Sequence, residues 1–190
     1  VFFLGDNGSV YSSKPLRGKK ADRFEGGIRV PFIVSWAKPS DIEIQSKWPI
    51  KAGTHHTESF GTILDLMPTI LNLTETKAPE GYILDGYDLR EVYAGETKQT
   101  FLMHFPHKHR SSYFTTWHNE DWKLIYQYHG NPQLQLFNLA IDRSEHNDLA
   151  EEKPEILQRM LSEMNDALKD SGALFPISQK LGESVQPHLN

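Results

Sequence analysis

The chain has 190 residues, 38% of them hydrophobic, with 20 Lys+Arg against 25 Asp+Glu, a formal net charge of -5 and no cysteine. That length supports one ordinary domain or one and a half with a core of useful size. The mild acidity and the lack of a long basic run give no electrostatic reason to bind nucleic acid or an anionic membrane, no apolar run approaches the roughly 20 residues that cross a bilayer, and the absent thiols exclude disulfides, thiolate metal sites and a cysteine nucleophile within these residues.

Val1-Phe2-Phe3-Leu4 reads as a buried apolar strand, interior to a larger sheet whose neighbours precede it, so the chain is expected to be the carboxyl-terminal part of a longer protein. Gly5-Asp6-Asn7-Gly8 follows as a turn that places two oxygen-bearing side chains at the end of that strand. Residues 9 to 27 are rich in Gly, Ser, Lys and Arg without periodicity and read as a site loop. Pro31 to Trp36 predicts a second buried strand. Residues 37 to 54 read as a surface excursion with turns at Lys38-Pro39-Ser40-Asp41 and Lys51-Ala52-Gly53-Thr54. From Thr62 to Leu73, Ile63, Leu64, Leu66, Met67, Ile70, Leu71 and Leu73 recur at helical spacing, which predicts a short helix packed on the sheet with Pro68 as its kink or first-turn residue.

Residues 74 to 100 carry scattered Gly, Pro and Asp and are expected to wander over the surface until a second unit begins near Thr100. There Ser112 to His118, Trp122 to Tyr128 and Leu134 to Leu139 predict three strands of a meander, split by turns at Asn119-Glu120-Asp121 and His129-Gly130-Asn131-Pro132. Pro154 stands at a first helical position, and Ile156, Leu157, Met160, Leu161, Met164, Ala167 and Leu168 form the apolar face of a helix that ends near Gly172 and covers the small sheet. The organisation expected is residues 1–99 as one unit, 100–175 as a second, and 176–190 as a loose tail.

Several landmarks stand in a telling order: Gly5-Asp6-Asn7-Gly8, Pro15-Leu16-Arg17-Gly18-Lys19-Lys20, Phe24-Glu25-Gly26-Gly27-Ile28-Arg29-Val30-Pro31, Asp65-Leu66-Met67-Pro68-Thr69 and Asp88-Leu89. Trp122-Lys123-Leu124-Ile125 and Leu136-Phe137-Asn138-Leu139 follow, then Asp142, Glu145, Asn147 and Leu149. The set resembles the carboxyl-terminal part of type I, formylglycine-dependent sulfatases of the alkaline-phosphatase-like superfamily, over roughly residues 1 to 170, and as an ordered set it is more specific than any one motif. The resemblance implies an α/β portion plus an α+β portion: the C-terminal part of the alkaline-phosphatase-like fold, ending in a small antiparallel sheet covered by a C-terminal helix.

Under that resemblance Asp6 and Asn7 are two oxygen ligands of a calcium ion. Calcium takes about six to eight oxygens, so an upstream aspartate pair and the modified nucleophile are expected to complete the shell. Taken alone, the same residues would make a plain turn. Lys20 precedes Glu25 by the family spacing and matches the lysine that contacts a sulfate oxygen, where a fixed ammonium binds the anion and offsets charge developing on the leaving oxygen. Lys19 reads as its solvent-facing neighbour. Ala21 and Asp22 depart from the pattern, which has Gly or hydroxyl residues there, and an acid beside Lys20 would weaken anion binding.

Glu25 and Arg29, flanking Gly26-Gly27 ahead of a strand, read as a structural ion pair that holds the loop, and Arg17 is read the same way. Ser13-Lys14-Pro15-Leu16-Arg17 fits the Ser-x-Pro-x-Arg pattern that is converted to formylglycine. The family's nucleophile, however, precedes the Asp-Asn pair and opens a helix, so Ser13 is read as unmodified. His104, His107 and His109 surround Phe105-Pro106 without the one-face spacing of zinc ligands. The resemblance implies that His104 and His107 line the substrate rim, with a His-rich surface loop as the plain alternative. His55 and His56 read as exposed turn residues, and Trp117, Trp122, Tyr126 and Tyr128 as sheet core more than as sugar-stacking platforms.

The function implied is hydrolysis of a sulfate ester, on a carbohydrate or a sulfated small molecule, through a formylglycine upstream of these residues. Calcium is the expected cofactor and the remainder of the same catalytic domain the expected partner, so these residues alone should be inactive. Neither nucleic acid nor membrane is an expected partner. Two alternatives stand beside this reading: a phosphodiesterase or phosphonate hydrolase of the same superfamily, and a glycan-binding module formed by residues 100 to 190. Periplasmic or secreted placement follows only by analogy with glycan-degrading sulfatases.

Overall fold

The computed structural model describes residues 1–190 except 39, 41, 58, 98, 110, 111, 131, 132, 180, 181 and 190, with the side chains of His109 and Ser112 also outside the description. The turns expected at 38–41 and 129–132 therefore fall partly outside the described residues. In chain order the elements are β1 (Phe2–Leu4), α1 (Glu25–Ile28), β2 (Phe32–Val34), α2 (Glu43–Ser46), a 3-10 turn (Ile63–Asp65), α3 (Leu66–Leu73), α4 (Leu89–Ala94), β3 (Thr100–His109), β4 (Ser112–Asn119), β5 (Trp122–Gln127), β6 (Leu134–Asn138) and α5 (Pro154–Asp170). They gather into two compact units, Val1–Gly5 with Pro31–Gln99 and Asp6–Val30 with Thr100–Asn190. The segment Asp6–Val30 thus groups with the terminal sheet and not with residues 31–99, because its Phe24 and Glu25 are built into that sheet's core.

In the first unit β1 and β2 pair antiparallel, with Phe2 opposite Val34, Phe3 opposite Ile33 and Leu4 opposite Phe32. Side chains alternate across a strand. Phe2, Leu4, Phe32 and Val34 are half-buried, while Phe3 is 61% and Ile33 55% exposed. The fully buried strand expected over Val1–Leu4 is instead half of a two-stranded ribbon with one covered face.

The helical spacing over Thr62–Leu73 yields the 3-10 turn and α3, with Pro68 in the first turn of α3, where its missing N–H removes no internal bond. The buried side of this helix is not the apolar stripe. Asp65, Pro68, Thr69 and Leu73 are buried, whereas Ile63, Leu64, Met67 and Ile70 are exposed. Hydrogen bonds account for the inversion: the Asp65 carboxylate accepts from Thr62 N (2.6 Å), Gln99 Nε2 (2.7 Å) and Tyr87 N (2.8 Å), and Thr69 Oγ1 donates to Asp65 O (2.6 Å) while accepting from Leu89 N (2.9 Å). Those bonds seat α4, a helix absent from the expectation for residues 74–100. Asp88 caps its start through Arg90 N, and Gly95 ends it at φ +74°. Six residues are too few for periodicity to reveal.

The second unit is built on an antiparallel sheet in the order β3-β4-β5-β6. Its first strand, β3, runs through the His104–His107 stretch that the sequence suggested as loop. Pro106 is tolerated because β3 is an edge strand and its register against β4 shifts between Phe105 and His109. Both faces of the sheet are covered. On one, Met160, Leu161, Met164 and Leu168 of α5 pack on Trp117, Leu124, Tyr126, Tyr128 and Leu136, as the apolar face of that helix and the aromatic core predict. On the other, Phe24 packs with Ile125 and Phe137. Lys123 to Gln127 in β5 are consequently all buried, with no polar alternation.

The tail expected to be loose is tied down. Ile177 bridges Ser184, Val185 N donates to Pro176 O (2.8 Å), and Asn165 Nδ2 of α5 donates to Pro187 O (3.2 Å). Among the described residues no helix is long and apolar enough to cross a membrane.

Candidate active site

The residues singled out as metal ligands and as anion-binding lysine lie on one segment, whose path is set by close backbone approaches. Gly8 N donates to Gly27 O (3.0 Å), Lys20 N to Ser9 O (2.9 Å) and Gly26 N to Arg17 O (2.7 Å). A side chain on Gly8 would run into the Gly26 carbonyl, and one on Gly26 into the carbonyls of Arg17 and Gly18, so glycine is required at both places. Ser13 donates its Oγ to Gly26 O at 2.6 Å, which closes the same loop.

Asp6 is exposed and Asn7 half-buried, and Asn7 Nδ2 donates to Asp6 Oδ1 at 3.0 Å. The Asn7 amide nitrogen thus faces the Asp6 carboxylate, and each residue also carries a side-chain oxygen, the donor type that hard cations take. Among the described residues no group of three or more His, Cys, Asp or Glu is placed to hold a metal ion. Two such side chains supply at most part of the about six to eight oxygens that a calcium ion takes. Lys20 is half-buried, and its ammonium has no ion-pair or hydrogen-bond partner among the described residues.

Beside it, Ala21 takes φ +72°, the left-handed region where an L side chain is strained and glycine is not. The departure from the family pattern thus falls on a position whose backbone favours glycine. Asp22 turns to Arg23, accepting its N–H at 2.8 Å and pairing with its guanidinium at 3.5 Å, so its charge is answered there.

The segment is anchored by a buried charge cluster. Lys123 Nζ lies 3.0 Å from Glu25 Oε1 and 2.7 Å from Glu145 Oε1, with both the Lys123 and the Glu145 side chain 0% exposed. Arg29 Nε donates to Glu25 Oε2 at 2.7 Å, the loop-holding pair read in the sequence. Glu145 Oε2 accepts the Glu25 N–H at 2.6 Å, and Glu145 O accepts from Arg17 Nη1 at 2.9 Å. An isolated buried ion is costly, whereas paired and hydrogen-bonded ions resist displacement, so these contacts fix where the loop stands.

Burial pushes the Glu25 carboxyl up, but the charge of Lys123, then His118 and Arg29, together with the Lys123 hydrogen bond, brings it down to about 2. Glu145 shares Lys123 with Glu25, and burial prevails there, raising its carboxyl. His118, directly opposite Lys123 in the β4–β5 ladder, is pushed down to about 3 by burial and by the Lys123 charge. Lys123 and Glu145 were not foreseen as partners of the site; the available signal was a lysine inside a continuous apolar run, Trp122 to Ile125.

His104 has both ring nitrogens engaged, Nδ1 2.8 Å from Thr115 Oγ1 and Nε2 2.8 Å from Leu174 O. A carbonyl only accepts, so Nε2 carries a proton, and Thr115 Oγ1 meets Tyr128 OH at 2.8 Å in the same chain of bonds. His107 is exposed, its ring centroid 4.0 Å from that of Phe105. No hydrogen bond or ring contact joins either histidine to Asp6, Asn7 or Lys20 among the described residues. The His109 side chain lies outside the description, and His56 stacks on Tyr93 at 4.5 Å in the first unit.

Residues 1–76 match the family model described as Sulfatase. Among curated relatives, steryl-sulfatase of Mus musculus is 28% identical over 143 residues, covering 66% of this chain and 21% of that protein. A protein named Sulfatase from Formosa agariphila is 28% identical over 177 residues, covering 81% of this chain and 29% of its own length. The crystal structure of Ps i-CgsB in complex with k-i-k-neocarrahexaose is similar at TM-score 0.67 and 25% identity, covering 94% of this chain and 39% of that one. The chain therefore spans less than a third of the length of either curated relative.

Proposed function

We propose that the chain is part of a sulfatase and that its protein hydrolyses sulfate esters of a carbohydrate. The observation that carries this reading is the mounting of Asp6, Asn7 and Lys20 on one segment, cross-linked by the Gly8–Gly27 and Lys20–Ser9 backbone bonds and standing on the Glu25–Lys123–Glu145 cluster. The similar structure with bound k-i-k-neocarrahexaose supports a carbohydrate as substrate.

Lys20 offers an ammonium without a partner among the described residues. Held there, it binds a sulfate oxygen and answers the negative charge that grows as the ester bond breaks, with no reorganisation at that moment. Asp6 and Asn7 would hold calcium, which when bound supplies fixed positive charge to the sulfate group. The rest of its oxygen shell, and the formylglycine nucleophile, would lie outside these residues. Ser13 is not that nucleophile, since its hydroxyl holds the Gly26 carbonyl within the loop. Glu25, Lys123 and Glu145 position the segment and touch no substrate. Of the two rim histidines, His107 is open to a substrate hydroxyl, whereas His104 would first have to release Thr115 or Leu174 O.

The full-length protein, given 4-nitrophenyl sulfate, bis(4-nitrophenyl) phosphate and a sulfated oligosaccharide, tests the reading by the ion released. Sulfate release from both sulfate esters, lost on chelation and restored by calcium, is expected. Faster cleavage of the phosphodiester would favour the phosphodiesterase alternative, and saturable oligosaccharide binding with no release would favour a binding module.

A further inference from the structure

A cleft of about 790 Å³ opens on the Asp6–Val30 segment, and Tyr11, Lys14, Arg17, Lys19, Asp22 and His146 are among the residues that line it. Three permanent cations and a histidine thus face one carboxylate, in a chain whose formal net charge is -5. Lys14 and Lys19 are exposed and have no ion pair among the described residues. Asp22 is committed to Arg23. Among the described residues the positive charge here is therefore not cancelled from within, and it favours an approaching anion.

Two further features point to a saccharide anion. Arg17 is held in place, its guanidinium 3.8 Å from the centroid of the Phe24 ring and donating to Glu145 O, so its free edge needs little ordering on binding. Tyr11 is 90% exposed at the rim and offers a ring face with a polar tip. Lys19, on the cleft wall, is the immediate neighbour of Lys20, and its carbonyl accepts from Asp22 N at 2.9 Å, which holds the backbone turn that carries both lysines.

We propose that this cleft is an anion subsite that takes a second sulfate of a polysulfated glycan while Lys20 engages the ester to be cleaved. This rests on the sulfatase reading above and extends it to substrate selection: Lys14 and Lys19 supply charge, Arg17 a planar donor edge, and Tyr11 a surface for the sugar ring.

The test compares the full-length wild-type protein with the Lys14→Ala/Lys19→Ala and Lys14→Arg/Lys19→Arg variants on three probes: 4-nitrophenyl sulfate, a monosulfated disaccharide and its disulfated counterpart. The alanine pair should raise KM for the disulfated disaccharide by roughly tenfold with kcat unchanged, reduce the salt dependence of its binding, and move the two monosulfated probes less than about twofold. The arginine pair should restore the wild-type KM. Equal effects on all three probes, or none on the disulfated one, would overturn the subsite. Should the wild type hydrolyse no sulfate ester, the sulfatase reading fails by itself. Calorimetric titration of the disulfated disaccharide then decides the subsite, which stands if the alanine pair loses that binding and falls if it does not.

Discussion

Lys123 of β5 and Glu25 of α1 are 98 positions apart in sequence and meet as a buried ion pair at 3.0 Å. Through that pair and its second carboxylate, Glu145, the segment that bears Asp6, Asn7 and Lys20 is founded on the terminal sheet. The small carboxyl-terminal sheet is therefore part of the site's support, and its integrity and that of the site should change together.

Replacing Lys123 by Met leaves Glu145 buried without its cation and Glu25 with Arg29 alone. The variant should lose about 3–5 kcal/mol of stability, read as the urea midpoint of the full-length protein. The double variant Glu25→Gln/Lys123→Met should lose less than the sum of its single changes, because each single change already removes the Glu25–Lys123 interaction. A loss below about 1 kcal/mol for Lys123→Met would show that the pair does not organise the segment.

Acid should weaken the protein over a defined window. Native Glu25 titrates at about 2 against an ordinary value of 4.5, so its stabilising effect is complete above the higher value and is lost as pH falls toward the lower. His118 has the same sign: its native value of about 3 lies under the ordinary 6.5, so below that pH the unfolded chain binds a proton that the native state refuses. Glu145, raised by burial, acts in the opposite sense, with stability present at low pH and lost as pH rises. Below pH 4.5 Glu25 and His118 act together, so the urea midpoint should decline there, and the His118→Gln variant should make that decline shallower. A midpoint that climbs between pH 4.5 and pH 3 would contradict the assignment.

Lys20 and Asp6 should separate by what their loss removes. Lys20→Ala is expected to lower kcat/KM on 4-nitrophenyl sulfate by roughly a hundredfold to a thousandfold without changing calcium affinity, because its ammonium has no partner among the described residues to disturb. Asp6→Ala should weaken calcium binding by about tenfold or more, read by terbium luminescence in competition with calcium. Unchanged kinetics for Lys20→Ala would remove that residue from the active centre.

Ala21 occupies a left-handed backbone conformation beside Lys20. Ala21→Gly should relieve that strain at the cost of extra freedom in the unfolded chain, for a net gain of about 0.5–1 kcal/mol measured by urea unfolding. A loss of stability would mean that the alanine methyl makes packing contacts that outweigh the strain.

Much of the architecture was legible because it depends on local pattern. The apolar face of α5 from Ile156 to Leu168, its opening at Pro154 and the aromatic strands of the meander follow from period and turn chemistry alone. The Glu25–Arg29 pair was legible because two opposite charges flank Gly26-Gly27 ahead of a strand, whereas the short helix between them was read as loop. Other elements were hidden because their causes are distant. Pro106 reads as a strand breaker until β3 is known to be an edge with a register shift, and α4 is too short to show a period. The apolar stripe of α3 faces outward because Asp65 and Thr69 are claimed by Gln99, Tyr87 and Leu89.

Sequence alone was sufficient for the family resemblance, with the candidate roles of Asp6, Asn7 and Lys20 that it implies, and for three of the four strands and the helix of the terminal unit, which rest on short-range order. Only the tertiary structure decided that Lys123 and Glu145 hold the segment carrying those residues, that the sheet is covered on both faces, and that Lys14 and Lys19 share a cleft. Charge partners and packed faces are chosen by proximity in space, and positions as far apart as 25 and 123 give no local sign that they will meet.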